Sequence, residues 1–118
     1  MNNFFFSKSV IKSFNTTLRI EGDKSLSIRW ALLASQASGK SCAKNILKSE
    51  DVLNTLKCLK KLGVKIKLNK KNVCEIKGLG INGYKYKKVI TLNAGNSGTL
   101  ARLISGLLIH SKGKIKII

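Results

Sequence analysis

Apolar and polar positions in this chain fall into a repeating order of short elements. TTLRI (16–20) reads as a strand. From 24 to 38 the apolar residues recur at helical spacing, with Leu26, Trp30, Leu33, Ala34 and Ala37 on one side and Gly39 as the stop. SCAKNI (41–46) reads as a second strand. A second helix is predicted over 50–62: Ser49 can cap it, Glu50 and Asp51 suit its positive end, and Lys57, Lys60 and Lys61 its negative end, before Gly63 stops it. VKIKL (64–68) alternates as a half-buried strand does, and NKKN (69–72) turns the chain into VCEIKG (73–78).

After a glycine-containing loop, GLGINGYKYK (78–87), the order restarts. VITL (89–92) is a strand, AGNSG (94–98) a tight connection, and 97–111 a helix with Leu100, Leu103, Ile104, Leu107 and Leu108 on one stripe. KIKII (114–118) is a last strand with nothing after it to pair with or cover it, an ending that predicts a truncated chain. The expected fold class is α/β (α+β), preceded by a polar start with a phenylalanine patch over 1–13.

The opening turn of the first helix is unusual in its charge. It carries Lys24, Ser25 and, one turn on, Arg29, although cations favour the opposite end of a helix. The second helix start of this kind repeats the spacing: Gly22 to Arg29 and Gly95 to Arg102 are both offset by 73 residues, which suggests one structural unit used more than once. In each, a glycine-containing turn opens a helix whose first N–H groups lack partners inside the helix, a ready anion site. Ser25 and Arg29, like Gly98 and Arg102, are four apart and neighbours on one flank. A phosphate or carboxylate held there would gain roughly 1.5 to 3 kcal/mol per charge-assisted hydrogen bond. The helix dipole would add only about 0.3 to 1 kcal/mol, so side chains dominate. The plainer alternative is that Lys24 and Arg29 simply point into water.

Composition sharpens this only in part. Lysine and arginine total 23 against 5 acids, a net charge of +18, which suggests an anionic partner. However, 20 lysines, 13 isoleucines and 10 asparagines all have A/T-rich codons, so genome bias is a competing explanation for scattered surface lysines. The 3 arginines are more informative, because Arg29 and Arg102 sit inside the repeated motif. The length of 118 residues suits one modest domain burying roughly two-thirds of its unfolded surface. Cys42, Cys58 and Cys74 are too widely spaced for metal-chelating pairs and odd in number, which predicts reduced thiols in the cytosol. No apolar run reaches transmembrane length, and FFF (4–6) is too short for a signal-peptide core. His110 is expected at a helix end on the surface, with no metal cluster and no nucleophile triad.

Two spellings are decoys. ASQASGKS (34–41) resembles a phosphate loop, but it closes a helix and precedes a strand, so its N–H groups point the wrong way. GLGING (78–83) resembles a dinucleotide fingerprint, with no apolar helix after it.

The stretches GDKSLSIRWALLA (22–34) and LNAGNSGTLARLISGLL (92–108), with SEDVLNTLKCLKKLGV (49–64) between them, resemble the 5-enolpyruvylshikimate-3-phosphate synthases over about residues 16–118. The related UDP-N-acetylglucosamine enolpyruvyl transferases share the fold but usually carry asparagine where Ser25 stands. The resemblance implies repeated βαβαββ units of the enolpyruvyl transferase fold, one complete at about 16–76 and part of a second at about 89–118, in an N-terminal fragment of a longer enzyme. It implies transfer of the enolpyruvyl group of phosphoenolpyruvate to the 5-hydroxyl of shikimate 3-phosphate through a tetrahedral intermediate, with phosphate released and no metal or cofactor. It also implies a cytoplasmic enzyme, monomeric at full length, that engages neither nucleic acid nor membrane.

By the same resemblance Lys24, Ser25 and Arg29 match residues that bind shikimate 3-phosphate, and Lys24 and Gly98 residues that contact phosphoenolpyruvate. Asn96 and Thr99 flank Gly98 in the same loop. Glu21 departs from a usual proline, and Ile28 from a usual histidine or asparagine. Later arginines and acid/base groups of the family lie past Ile118, so this chain alone is expected to be inactive. The rival class is a basic nucleic-acid-binding module, supported by charge but by no groove-reading helix, aromatic strand or zinc finger.

Overall fold

The computed structural model describes Asn15, Thr17 and residues 22–118. The phenylalanine patch, Glu21 and most of the predicted strand over 16–20 lie outside the described residues. The elements are α1 (Lys24–Gln36), β1 (Ser38–Ala43), α2 (Glu50–Lys61), β2 (Lys65–Leu68), β3 (Cys74–Leu79), β4 (Val89–Leu92), α3 (Gly98–Leu107) and β5 (Lys114–Ile117).

Strands β1, β3 and β2 form an antiparallel sheet in that order, with Ser38 opposite Leu79 and Lys65 opposite Lys77. The β2–β3 hairpin is closed by Asn69, whose Oδ1 accepts from the amides of Lys71 (2.9 Å) and Val73 (3.0 Å). Asn72 takes the left-handed conformation there, φ 57°. Alternation places Cys74 and Ile76 in the core and Glu75 and Lys77 outward. On that outward face Lys40 Nζ pairs with Glu75 Oε1 at 2.8 Å.

Strands β4 and β5 form a separate parallel pair, Val89 opposite Lys114 and Leu92 opposite Ile117. The partner of the last strand, which the sequence left open, is thus the earlier strand β4. The α3 crossover carries the chain back beside β4, the usual outcome for a strand–helix–strand unit. Backbone bonds extend the pairing at both ends, Lys114 N to Lys88 O (2.8 Å) and Ile118 N to Leu92 O (3.0 Å).

The helices fill the space behind the sheets. In α2 the buried residues Val52, Thr55, Leu56, Cys58 and Leu59 make one stripe, Ser49 Oγ accepts from Val52 N as expected, and Gly63 at φ +88° ends the element. Each fully buried isoleucine or leucine contributes roughly 1.5–3 kcal/mol. In α3 Leu100, Ile104 and Leu108 are buried as expected, whereas Leu103 is exposed, and the helix stops at Leu107, short of the predicted 111.

The predicted face of α1 is only partly right: Ala34 is buried and Trp30 packs against the core, but Leu26 and Leu33 do not. Its buried residues are Ser27, Ile28, Ala31, Leu32, Ala34 and Ser35, while Leu26 and Leu33 are 48% and 70% exposed. The stripe was assigned by the largest apolar side chains, but α1 packs against α2, α3 and β3 together, and small residues permit that close approach. Gly78 shows how close: a Cβ there would run into the carbonyls of Ala34 and Ala37. The same contact displaces the next strand. Ala37 is extended and its carbonyl accepts from Gly80 N (3.1 Å), so α1 ends at Gln36 and β1 occupies 38–43 rather than 41–46. Gly39 thus lies inside a strand at φ +100°, and the phosphate-loop spelling over 34–41 runs out of a helix into a strand, as its rejection requires.

Candidate functional site

The first corner is built around Asp23. It caps α1 through Oδ1, which accepts from Leu26 N at 2.7 Å, and its carbonyl accepts from Ser27 N at 2.9 Å. The N–H groups of Lys24 and Ser25 are left with no partner inside the helix. Gly22, ahead of the cap, fits where a Cβ would stand 2.9 Å from Asn45 O, so the chain enters the helix tight against the β1–α2 connection. Ser27 Oγ, buried, accepts from Leu47 N at 3.2 Å and fastens the same connection. Ser25 is partly buried, and Arg29 is exposed and makes no ion pair among the described residues.

The second corner uses less charge and more glycine. Asn93 Oδ1 accepts from Gly95 N at 2.8 Å, Gly95 takes φ +57°, and buried Ser97 caps α3 by accepting from Leu100 N at 3.2 Å. Asn96 is exposed and Thr99 partly buried. The Gly98 amide leans on Asn96 O at 3.2 Å, which leaves the Thr99 amide as the free donor of that turn. Arg102 reaches back over its own helix, Nε to Gly98 O at 3.2 Å, so the fourfold spacing does bring those two residues together.

The fold does not require a glycine at Gly98, nor at Gly106 in the same helix. At neither is φ positive, and a Cβ would meet no atom within 4 Å. A side chain at Gly98, the first residue of α3, would point into open space beside the free Thr99 amide.

One stripe of α2 joins the corners. Asp51 Oδ2 holds Lys24 Nζ at 3.1 Å. Asn54 lies against Gly95, its Nδ2 2.8 Å from where a Cβ would stand. Cys58 Sγ donates to Asn93 O at 3.3 Å, and Lys61 Nζ to Thr91 O at 2.9 Å. The steps of three, four and three residues keep all four side chains on one face. Burial pushes the Cys58 thiol up, so it remains a proton donor to that carbonyl. Lys24 therefore does not simply point into water, and both corners flank the same edge of α2.

Asp51 and Asn54 were missed as site neighbours in the sequence. Asp51 was assigned only to the helix dipole, although two of the chain's 5 acids, Glu50 and Asp51, fall in that one turn. Ile28, beside Arg29, is fully buried and belongs to the core, so it offers no polar contact. A concavity of about 1130 Å³ lies elsewhere, among Lys88, Val89, Leu107, His110, Gly113 and Lys114. Those residues start β4 and β5 and follow α3, whereas both corners lie at helix starts. In strand–helix–strand units ligands bind beyond the strand carboxyl ends, so we place the candidate site at the corners. Among the described residues no group of histidine, cysteine or acidic side chains is arranged to hold a metal ion, and no helix is long and apolar enough to cross a membrane.

The family model for EPSP synthase (3-phosphoshikimate 1-carboxyvinyltransferase) matches residues 9–117. The chain belongs to the EPSP synthase family. It is 48% identical over 105 residues to a 3-phosphoshikimate 1-carboxyvinyltransferase of Vesicomyosocius okutanii, covering 86% of this chain and 24% of that one. A relative of the same name from Persephonella marina is 45% identical over 100 residues, 85% of this chain and 23% of its own. Among solved structures, EPSP synthase from Acinetobacter baumannii superposes with a TM-score of 0.74 at 34% identity, covering 86% of this chain and 23% of that one. The chain therefore spans about a quarter of the length of the relatives it matches. The mixed helix-and-strand architecture agrees with those neighbours.

Proposed function

We propose that this chain forms part of an EPSP synthase that transfers the enolpyruvyl group of phosphoenolpyruvate to the 5-hydroxyl of shikimate 3-phosphate. The observation that carries the reading is the α2 stripe, which sets Lys24 and the Gly95 turn along one edge. Two anionic substrates need cations and unpaired N–H groups close together, and two adjoining helix starts supply both. In the proposed assignment Lys24, Ser25 and Arg29 engage shikimate 3-phosphate. Lys24 and the Gly98 turn engage phosphoenolpyruvate, with Asn96 and Thr99 beside it.

In the reaction the 5-hydroxyl oxygen adds to C2 of phosphoenolpyruvate while a proton adds to C3, giving a tetrahedral intermediate. Loss of phosphate and of a methyl proton then restores the enol ether. Within this chain the contribution is to bind and orient both anions and to offset the charge of the departing phosphate. This reading assigns the acid/base steps to no residue of this set, and the 118-residue polypeptide is expected to give no turnover by itself. Residues of about 16–76 and 89–118 correspond in this reading to one βαβαββ unit and part of the next. Three free cysteines among the described residues suit a cytoplasmic enzyme, which this reading takes as monomeric at full length.

The test is a hybrid in which this chain replaces the matching quarter of the Acinetobacter baumannii enzyme. The hybrid is expected to form product, and Lys24→Ala within it to abolish turnover while Lys70→Ala leaves it intact. A folded hybrid whose turnover is indifferent to Lys24→Ala overturns the assignment.

A further inference from the structure

On the outward face of the β1–β3–β2 sheet the register lines up three lysines. Lys77 on the central strand stands opposite Lys40 of β1 on one side and Lys65 of β2 on the other. All three are exposed. The next row of the same face holds Cys42, Glu75 and Lys67. Glu75 is the one acid in the two rows, and it is already paired with Lys40, Nζ to Oε1 at 2.8 Å. Four lysines against one carboxylate leave these rows with a charge of +3. Past the strands, the hairpin end adds exposed Lys70 and Lys71, and Lys48 Nζ reaches the Lys70 carbonyl at 3.4 Å. The basic stripe is roughly 15 Å long and about 10 Å wide.

The sheet gains nothing from this row, because like charges directly opposite one another on neighbouring strands are destabilising. Lysine on an edge strand guards against edge-to-edge pairing, which accounts for Lys65 and Lys67 on β2. It does not account for Lys77, whose strand is central and exposes no edge. Nor do the two corners use this face. The helix α1 packs on the other side of β3, where Gly78 meets the carbonyls of Ala34 and Ala37. Codon bias sets how many lysines the chain holds and not which of them share a row, so number and placement are separable by experiment.

A rigid cationic stripe fits a linear anion. A nucleic-acid duplex carries one negative charge per about 1.7 Å of its axis, and each phosphate neutralised by a lysine releases counterions. The two rows hold only lysine, glutamate and cysteine, with no aromatic side chain to stack on bases and no large apolar one to enter a bilayer. We propose that the outward face of this sheet is a docking surface for the phosphate backbone of a nucleic-acid duplex, held without regard to base sequence through Lys40, Lys65, Lys67 and Lys77. The surface is separate from the corners and independent of the reading of their substrates. Glu75 limits it, since its pairing with Lys40 competes with phosphate there. With roughly three phosphates engaged, the logarithm of the binding constant falls with the logarithm of salt at a slope of about −3.

The experiment titrates an end-labelled DNA duplex with the 118-residue chain between about 50 and about 200 mM salt, followed by fluorescence anisotropy. Duplexes of two unrelated sequences are expected to bind alike. Lys40→Gln, Lys65→Gln and Lys77→Gln combined are expected to weaken binding roughly tenfold or more at the low-salt end and to flatten the slope by about 2. Lys57→Gln, Lys87→Gln and Lys112→Gln combined remove the same charge from exposed positions elsewhere, and affinity is expected to change less than about threefold. Should the first triple variant lose its far-UV circular dichroism, Lys77→Gln alone decides, with a slope flatter by about 1. Absence of binding at the low-salt end overturns the proposal. Equal losses in the two triple variants overturn it too, since net charge alone would then attract the duplex. Tighter capture by phosphatidylserine vesicles through the same three lysines would make the occupant a lipid surface and likewise overturn it. The hybrid enzyme is expected to show the same dependence on the row, and a hybrid indifferent to it has this face covered by the rest of the protein, which also overturns the proposal.

Discussion

At the start of α1 the groups proposed to meet an anion are side chains, Lys24, Ser25 and Arg29, behind an acidic cap. At the start of α3 they are backbone, exposed by Gly95 and Gly98, behind a neutral serine cap. The lysine of the charged corner pairs with an outside partner, Asp51. The glycine corner directs itself, through the Asn93 turn and the Ser97 cap, and its arginine is folded onto its own helix. Side-chain charge brings strength and needs restraint. Backbone donors bring restraint and need room, which is why the open Cβ space at Gly98 matters.

The largest effect expected is a contrast between the two cations. In the hybrid, Lys24→Ala should weaken affinity for the substrate anions roughly ten- to a hundredfold, the equivalent of about 1.5–3 kcal/mol. Arg102→Ala should change it less than about threefold, its guanidinium being spent on Gly98 O. Calorimetric titration of both variants decides, and equal losses would erase the distinction between the corners.

The glycines are expected to divide. Gly95→Ala should lower stability by about 1–3 kcal/mol, from its left-handed backbone and the nearby Asn54 amide. Gly98→Ala should leave stability level or raise it by about 0.5–1 kcal/mol while phosphoenolpyruvate binding weakens. Urea unfolding beside titration measures both; a destabilising Gly98→Ala would mean the fold itself requires that glycine.

Smaller effects sharpen the caps. Asp23→Ala and Ser97→Ala should each cost about 0.5–2 kcal/mol in urea midpoints, similar at both corners because each loses one side-chain bond to an amide. The smallest effect is an alkaline one outside the corners. Burial pushes the Cys74 thiol from 9.0 to about 11, so the folded state keeps a proton that the unfolded chain releases. Its stabilising contribution is complete below pH 9.0 and is lost as pH rises toward about 11. Denaturation followed across that range should show the decline in the wild type and a flatter profile in Cys74→Ala. Under native conditions exposed Cys42 should react with a thiol reagent well before Cys58 and Cys74.

Much of the α2–β2–β3 order was readable because each boundary has a local cause: Ser49 and Gly63 delimit α2, and Asn69 and Asn72 turn the hairpin. The four residues of β4 were legible to the residue. The face of α1 was not, because Leu26 and Leu33 look like core while Ser27, Ala31 and Ser35 do not, and only the packing of three neighbours against one helix reverses that ranking. The candidate residues were visible as an odd charge placement and a repeat. Their restraint by Asp51 and Asn54 was invisible, since it depends on how one helix lies beside two loops that are distant in sequence.

What the chain determined by itself is whatever short-range chemistry governs: where helices start and stop, which strands alternate, and that Lys24 and Ser97–Gly98 stand at helix starts whose first turns leave amides without helical partners. Tertiary structure decided the rest, namely the buried side of α1, the parallel partner of β5, and the single ridge of α2 that serves both corners. The division follows from range. Caps and turns are settled within about four residues, whereas burial and the aim of a long side chain depend on surfaces that meet only once the whole chain has packed.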